Sequence, residues 1–162
     1  MFGDGRPTGT KPEIYRELAQ MAEGLFRDER DAIANAANLS ALLWMGLADL
    51  NWVGFYLLRG PGLVLGPFQG KPACVRIEIG RGVCGAAAAQ KKTVIVPDVE
   101  AFPGHIACDA DSRSELVVPL LRGSRLIGVL DLDSPFRARF DEADAAGIES
   151  LAALWVTASD SI

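Results

Sequence analysis

Several features that would define common classes of site are missing from this sequence. It has one histidine in 162 residues, and none of its three cysteines belongs to a Cys-x-x-Cys pair. Zinc sites are usually built from such closely spaced ligands, so we expect no bound metal. A cysteine–histidine hydrolase would depend on His105 alone, with no evident third residue to orient it. The pattern therefore disfavours both classes.

Basic charge and long apolar runs are also scarce. The net charge is -5 and the isoelectric point is about 4.9, which disfavours nucleic acid as a partner. No apolar run reaches the roughly 18 residues that a membrane span needs. The N-terminal stretch has no apolar signal-peptide core, so we expect a cytoplasmic protein without a membrane partner. Its thiols would then be reduced at rest, and any disulfide would be transient.

Hydrophobic periodicity predicts a single α+β domain. Residues 1–12 are rich in Gly, Pro and Thr and indicate a disordered lead-in, which leaves 13–162 as one domain. We expect one mostly antiparallel six-stranded sheet with helices packed on one face. The predicted helices cover residues 14–26, 31–50, 83–90 and 141–157, and the strands lie in a hairpin at 51–69 and at 74–79, 93–96, 114–121 and 125–133.

The three isolated cysteines are the first candidates for chemistry. Cys84 and Cys108 lie in Gly-rich or polar segments, unlike most buried structural cysteines, and Cys74 begins a predicted strand. Such thiols indicate redox chemistry or metal binding. His105, in the same long connection as Cys108, either lowers the pKa of that thiol or is an exposed loop histidine.

Strand alternation gathers acidic residues at one end of a predicted hairpin. It places Ile127, Asp131 and Asp133 on one face of their strand, and pairing through the turn at 122–124 brings Glu115 beside the two aspartates. Crowded carboxylates often mark a cation, amine or acid–base site. A solvated strand end is the alternative.

Aromatic residues alternate along the first predicted strand. Trp52 and Tyr56 share one face with Gly54 between them, while Val53 and Phe55 share the other. The first face can form the floor of a small pocket, or it can simply pack beneath a loop. The second face consists of core residues.

Four stretches resemble a known family. NWVGFYLL, GPFQGKPACVRIEIGRGVCGAAA, VPDVEAFPGHIACDADSRSELVVPL and GVLDLDSPFRARFDEAD are similar to the free methionine-R-sulfoxide reductases, which have a GAF fold. The resemblance runs from about residue 13 to residue 157. It implies reduction of free methionine-R-sulfoxide by a homodimer. A non-catalytic GAF domain that senses a small ligand or a redox state is the alternative.

The resemblance also implies roles for the cysteines. Cys108 would attack the sulfoxide and become a sulfenic acid, and a second cysteine would close an intramolecular disulfide. Cys84 is the expected resolving cysteine and Cys74 the alternative. Thioredoxin, supplied by thioredoxin reductase and NADPH, would reduce the disulfide, with no bound cofactor.

The same resemblance assigns the substrate pocket. Trp52 and Tyr56 would line it, and Glu115, Asp131 and Asp133 would handle the ammonium group and the sulfoxide oxygen. We expect Glu115 or Asp133 to donate the proton and Asp131 mainly to bind, because clustered acids have raised pKa values.

Overall fold

The computed structural model describes residues 5–106 and 108–162, and it confirms the predicted α+β class. Residues 1–4 of the expected lead-in lie outside the described residues. The helices are α1 Lys11–Phe26, α2 Ala32–Gly46, α3 Gly82–Gln90 and α4 Glu142–Ala158. The strands are β1 Trp52–Arg59, β2 Gly62–Gly70, β3 Arg76–Glu78, β4 Val94–Val96, β5 Ser114–Arg122 and β6 Arg125–Ser134.

Helix α1 begins at Lys11, inside the segment that the sequence predicted as disordered. Thr10 caps the helix: its hydroxyl accepts a hydrogen bond from the Glu13 amide, and its own amide donates to the Glu13 carboxylate at 2.8 Å. Pro12 stands in the first turn, where a missing amide hydrogen is tolerated. The capping box therefore sets the start of the helix, which lies three residues before the start that the hydrophobic periodicity predicted.

The six strands form one sheet in the order β3-β2-β1-β6-β5-β4, and each neighbouring pair is antiparallel. Helices α1, α2 and α4 cover one face and enclose the larger core, in which Phe55 stacks at an angle on Trp155. None of the described helices is long and apolar enough to cross a membrane.

The expectation that all helices pack on one face is wrong for α3. This helix lies on the opposite face, where Val83, Cys84 and Ala87 join a second core with Tyr56 and Val129. Its small side chains allow a close approach to the sheet. At Gly85 any Cβ would overlap a backbone carbonyl of β3. The second face is therefore only partly covered by helix, and it carries the candidate site.

The prediction that Ile127 shares a face with the two aspartates of β6 is also wrong. The pairing of β5 with β6 shifts by one residue between Leu120 and Leu121, so Ile127 turns into the larger core. Val129 and Asp131, beyond the shift, lie on the opposite face as predicted. A bulge reverses the alternation because it adds one residue to one strand.

Candidate active site

The register of three central strands brings the acidic residues together. Trp52 pairs with Asp133, and Asp133 pairs with Glu115, so these residues form one row across β1, β6 and β5. Asp131 lies in the next row on the same face, opposite Gly54. The predicted convergence of the three acids is confirmed, and it occurs at the floor of a cleft.

Burial dominates the electrostatics of this floor. Glu115 and Asp131 are only 6% and 5% exposed. Desolvation raises the pKa of all three carboxyls well above the ordinary range, and the neighbouring acid adds to it in each case: Asp133 for Glu115, Glu115 for Asp131, and Asp131 for Asp133. The cluster therefore keeps protons to higher pH than exposed carboxyls do.

Cys84 enters the same cluster from α3. Its Sγ lies 3.9 Å from Glu115 Oε1, and ligand atoms of Cys84, Glu115 and Asp131 all lie within 4.8 Å of one another. Desolvation, followed by the charges of Asp131 and Glu115, raises the pKa of this buried thiol. A thiol in this setting is a weak nucleophile, because the reactive form is the thiolate.

The other two cysteines form a disulfide at the cleft. Cys74, just before β3, is bonded to Cys108 of the connection before β5, with their Cα atoms 5.6 Å apart. The Tyr56 hydroxyl donates to the Cys74 carbonyl at 2.8 Å, which ties this segment to the sheet. Cys84 is a free thiol. The structure thus joins Cys108 to Cys74, which was predicted as the alternative partner, and not to Cys84.

Aromatic side chains form one wall of the cleft. Trp52 and Tyr56 are 3% and 2% exposed, with ring centroids 5.8 Å apart. The Trp52 indole donates to the Lys71 carbonyl at 3.1 Å and stacks on Phe68 at 5.3 Å. Gly54 admits the close contact with Phe68, because a Cβ there would overlap that side chain. The contacts with Lys71 and Phe68 therefore hold the Trp52 ring in position.

His105 contacts the acid cluster instead of standing free in its loop. Its Nε2 lies 3.5 Å from Glu115 Oε2, and its side chain is 15% exposed. Burial lowers the pKa of His105, and burial raises the pKa of Glu115, so both groups favour their neutral forms. The contact is therefore a polar contact between neutral groups more than an ion pair.

The sequence did not reveal the residues that hold the rim of the cleft. Asn51 Nδ2 donates to Asp109 Oδ2 at 3.1 Å and to Ser112 Oγ at 3.0 Å. Lys71 Nζ lies 3.5 Å from Asp109 Oδ1. Ser112 and Asp133 both line the cleft. Asn51 and Ser112 are 61 positions apart, and no local pattern in a single sequence links them.

The curled antiparallel sheet with its four helices is the fold of a GAF domain. The model of the GAF domain family matches residues 12–158 of the chain. The free methionine-R-sulfoxide reductase of Escherichia coli is 51% identical over 143 residues, which cover 88% of this chain and 87% of that protein. The enzyme of the same name from Saccharomyces cerevisiae is 43% identical over 152 residues, covering 89% and 84%.

A solved structure extends the likeness to three dimensions. The X-ray structure of free methionine-R-sulfoxide reductase from Neisseria meningitidis, in complex with its substrate, superposes with a TM-score of 0.92 at 47% identity. The match covers 98% of this chain and 95% of that one. The chain therefore belongs to the free methionine-R-sulfoxide reductase family of GAF domains.

Proposed function

We propose that this protein is an oxidoreductase that reduces free methionine-R-sulfoxide to methionine. One observation carries the proposal: Cys108 of the Cys74–Cys108 disulfide lines the same cleft as the buried carboxyls of Glu115 and Asp131 and the half-buried carboxyl of Asp133, all with raised pKa values. Sulfoxide reduction needs two thiols, which supply the electrons, and an acid, which supplies protons to the departing oxygen. The cleft contains both a cysteine pair and acids, whereas a sensor domain needs neither of them.

In the first step, the Cys108 thiolate attacks the sulfoxide sulfur and a sulfur–sulfur bond forms while the oxygen takes up one proton. The hydroxyl then passes to the Cys108 sulfur as the sulfur–sulfur bond and the sulfoxide sulfur–oxygen bond break, so that the substrate sulfur gains two electrons and leaves as methionine, and Cys108 becomes a sulfenic acid. Glu115 or Asp133 donates the proton to this oxygen, and Asp131 mainly binds. Their raised pKa values support this role, since a general acid must be protonated near the working pH.

In the second step, the thiol of Cys74 attacks the sulfenic sulfur of Cys108. A disulfide forms and the oxygen leaves as water, so the two thiols together lose two electrons. The disulfide between these residues in the structure supports Cys74 as the resolving cysteine. Cys84 is buried, and burial opposes its ionisation, which makes it the weaker candidate.

We further propose that thioredoxin reduces the disulfide by exchange, with thioredoxin reductase and NADPH as the source of electrons. No cofactor need be bound, because the two cysteines hold the electrons between steps. This cycle suits a reducing compartment such as the cytoplasm. By analogy with the family, the working unit would be a homodimer.

The polar groups of the cleft suit a free amino acid. The three acids offer partners for an ammonium group, and the Trp52 face offers an apolar surface for the methyl end. Because Glu115 and Asp131 at the floor of the cleft are almost wholly buried, a methionine sulfoxide within a folded protein would not reach them. These features favour the free form of the substrate.

Three matched serine variants test the roles of the cysteines. We expect Cys108→Ser to release no methionine. Cys74→Ser should release about one equivalent of methionine and then stop even when thioredoxin is present, since the sulfenic acid on Cys108 lacks the Cys74 thiol that closes the disulfide. Cys84→Ser should keep thioredoxin-dependent turnover. Methionine release from both sulfoxide epimers, single-turnover and steady-state, gives the answer.

The outcomes separate the alternatives cleanly. Release from neither epimer by the wild-type protein would contradict the proposed activity, as would release by Cys108→Ser. Steady turnover in Cys74→Ser together with arrest in Cys84→Ser would move the resolving role to Cys84. Titration of free thiols after substrate addition identifies the pair that closes in each variant.

A further inference from the structure

Cys84 has no task in the proposed reaction, yet it occupies the floor of the cleft. It is free, 4% exposed and in contact with two of the three acids. A thiol and two carboxyls in one buried cluster combine a soft ligand with two hard ones. This donor set matches the sites that bind Zn²⁺, in which Cys, His, Asp and Glu serve as ligands.

A second observation shows that the cluster has an unfilled position when no substrate is bound. Asp131 is 5% exposed, and its Oδ1 has no hydrogen-bond partner among the residues that the structure describes. Buried polar atoms almost always have a partner, so an unpaired carboxylate oxygen that lines a cleft requires an explanation. A cation in the cluster would supply the missing partner.

We propose that Cys84, Glu115 and Asp131 form a binding site for a thiophilic divalent cation, with Zn²⁺ as the ion that fits best. The thiolate selects against Mg²⁺ and Ca²⁺, which prefer oxygen ligands alone. Tetrahedral zinc holds a sulfur and an oxygen ligand roughly 3.5 Å apart. The 3.9 Å between Cys84 Sγ and Glu115 Oε1 is close to that separation.

His105 is the nearest candidate for a fourth ligand. Its Nε2 is 3.5 Å from the other oxygen of Glu115, and it lies outside the three ligand atoms that fall within 4.8 Å of one another, so it would have to move toward the ion. The site differs from common zinc motifs in its spacing, because ligands from α3, β5, β6 and the connection at 98–112 meet only in the fold.

Cobalt absorption provides a test that does not depend on catalysis. With the fully reduced protein, Co²⁺ should give a thiolate-to-cobalt charge-transfer band and the intense visible bands of a tetrahedral site at one equivalent. Zn²⁺ should abolish both, and calorimetry should show one Zn²⁺ bound. In Cys84→Ser the charge-transfer band should disappear, and Zn²⁺ affinity should fall by at least about tenfold.

The matched control is the double variant Cys74→Ser/Cys108→Ser, which removes the other two thiols and should keep the band. Absence of the band in the wild-type protein would overturn the proposal, as would its persistence in Cys84→Ser or its loss in the double variant. Asp131→Asn serves as a second test if Cys84→Ser misfolds, and unchanged Zn²⁺ affinity there would equally contradict the site.

The proposal has a functional consequence, which rests on the proposed function. Zn²⁺ and substrate would compete for Glu115 and Asp131, so Zn²⁺ should raise KM for methionine-R-sulfoxide without lowering kcat. The binding assays test the Zn²⁺ site and the activity assays test the proposed function, so either proposal can be contradicted without the other. A protein that binds Zn²⁺ through Cys84 but reduces no sulfoxide would contradict only the function.

Discussion

At the scale of the residue, the buried acids work against the stability of the fold. The row of Glu115 and Asp133, with Asp131 beside it, concentrates two buried carboxyls and one half-buried carboxyl in one place. Ionising any of them costs free energy in the native state and much less in the unfolded chain. Active sites commonly keep such groups because function requires them, at the expense of stability.

This cost predicts how stability depends on pH. Each acid has a folded pKa above its unfolded value, so the native state binds more protons in the interval between the two. The free energy of unfolding should therefore fall as the pH rises above about 4 and toward the raised pKa values. Asp131→Asn should flatten this slope by about 1.4 kcal/mol per pH unit within that interval, because it removes one titrating proton.

Denaturant unfolding of the oxidised protein across this pH range measures the effect. Asp98→Asn is a control of opposite sign: desolvation raises the pKa of Asp98, but the hydrogen bonds from Arg137 and the Glu100 amide and the nearby arginine charges together lower it. That variant should lose stability mainly above the ordinary carboxyl pKa, where the wild-type pair is formed. If the free energy of unfolding of Asp131→Asn changed with pH as steeply as that of the wild-type protein, Asp131 would not hold an extra proton in the folded state.

At the scale of the element, helix contacts depend on positions where only glycine fits. Gly147 of α4 faces the ring of Tyr15 on α1, and an added Cβ would overlap the ring. The ring cannot simply turn away, because the Tyr15 hydroxyl donates to Asp144 Oδ1 at 2.8 Å. Asp144 also accepts from Lys11 and Arg139, so a shift of α1 would disturb several buried polar contacts.

Gly147→Ala should therefore destabilise the protein by about 1–3 kcal/mol, as overpacked core positions do. Gly24→Ala is the matched control, since Gly24 lies in α1 and a Cβ there meets nothing within 4 Å. That change should stabilise by about 0.4–1 kcal/mol through the unfolded state. Thermal and denaturant unfolding compare the two variants. Equal effects would contradict the close contact of α1 with α4.

Local patterns in the sequence predicted the elements and the acid cluster, but not the details that depend on distant contacts. The alternation that placed Asp131 and Asp133 correctly failed at Ile127, because the bulge is a property of the β5–β6 pair. Periodicity also gave no sign of which face α3 would cover. The pairing of Cys74 with Cys108 depends on two connections meeting above the sheet, which no local spacing encodes.

At the scale of the whole molecule, the two faces of the sheet have separate tasks. One face buries the larger core beneath α1, α2 and α4, and this core holds the strands in register. The other face has only α3 and loops above it, and the cleft lies in the space between them. Residues from β1, β5, β6, α3 and the 98–112 connection all line this cleft. The sheet thus positions the acids, while loops carry the Cys74–Cys108 disulfide.

This arrangement predicts selection for an unblocked amino group. On the proposed function, the ammonium group meets the buried acids, and a charged hydrogen bond of this kind is worth about 1.5–3 kcal/mol. N-acetyl-methionine-R-sulfoxide lacks that charge, so its kcat/KM should fall by about 10- to 150-fold relative to the free amino acid. Steady-state reduction with a thioredoxin system measures kcat/KM for both substrates.

N-methyl-methionine-R-sulfoxide is the control for size, since it keeps the positive charge while adding a methyl group. Its kcat/KM should fall less than that of the acetylated substrate. If the acetylated substrate were reduced as efficiently as the free one, the acids would not bind the ammonium group, and the cleft would have to select its substrate by the sulfoxide end alone.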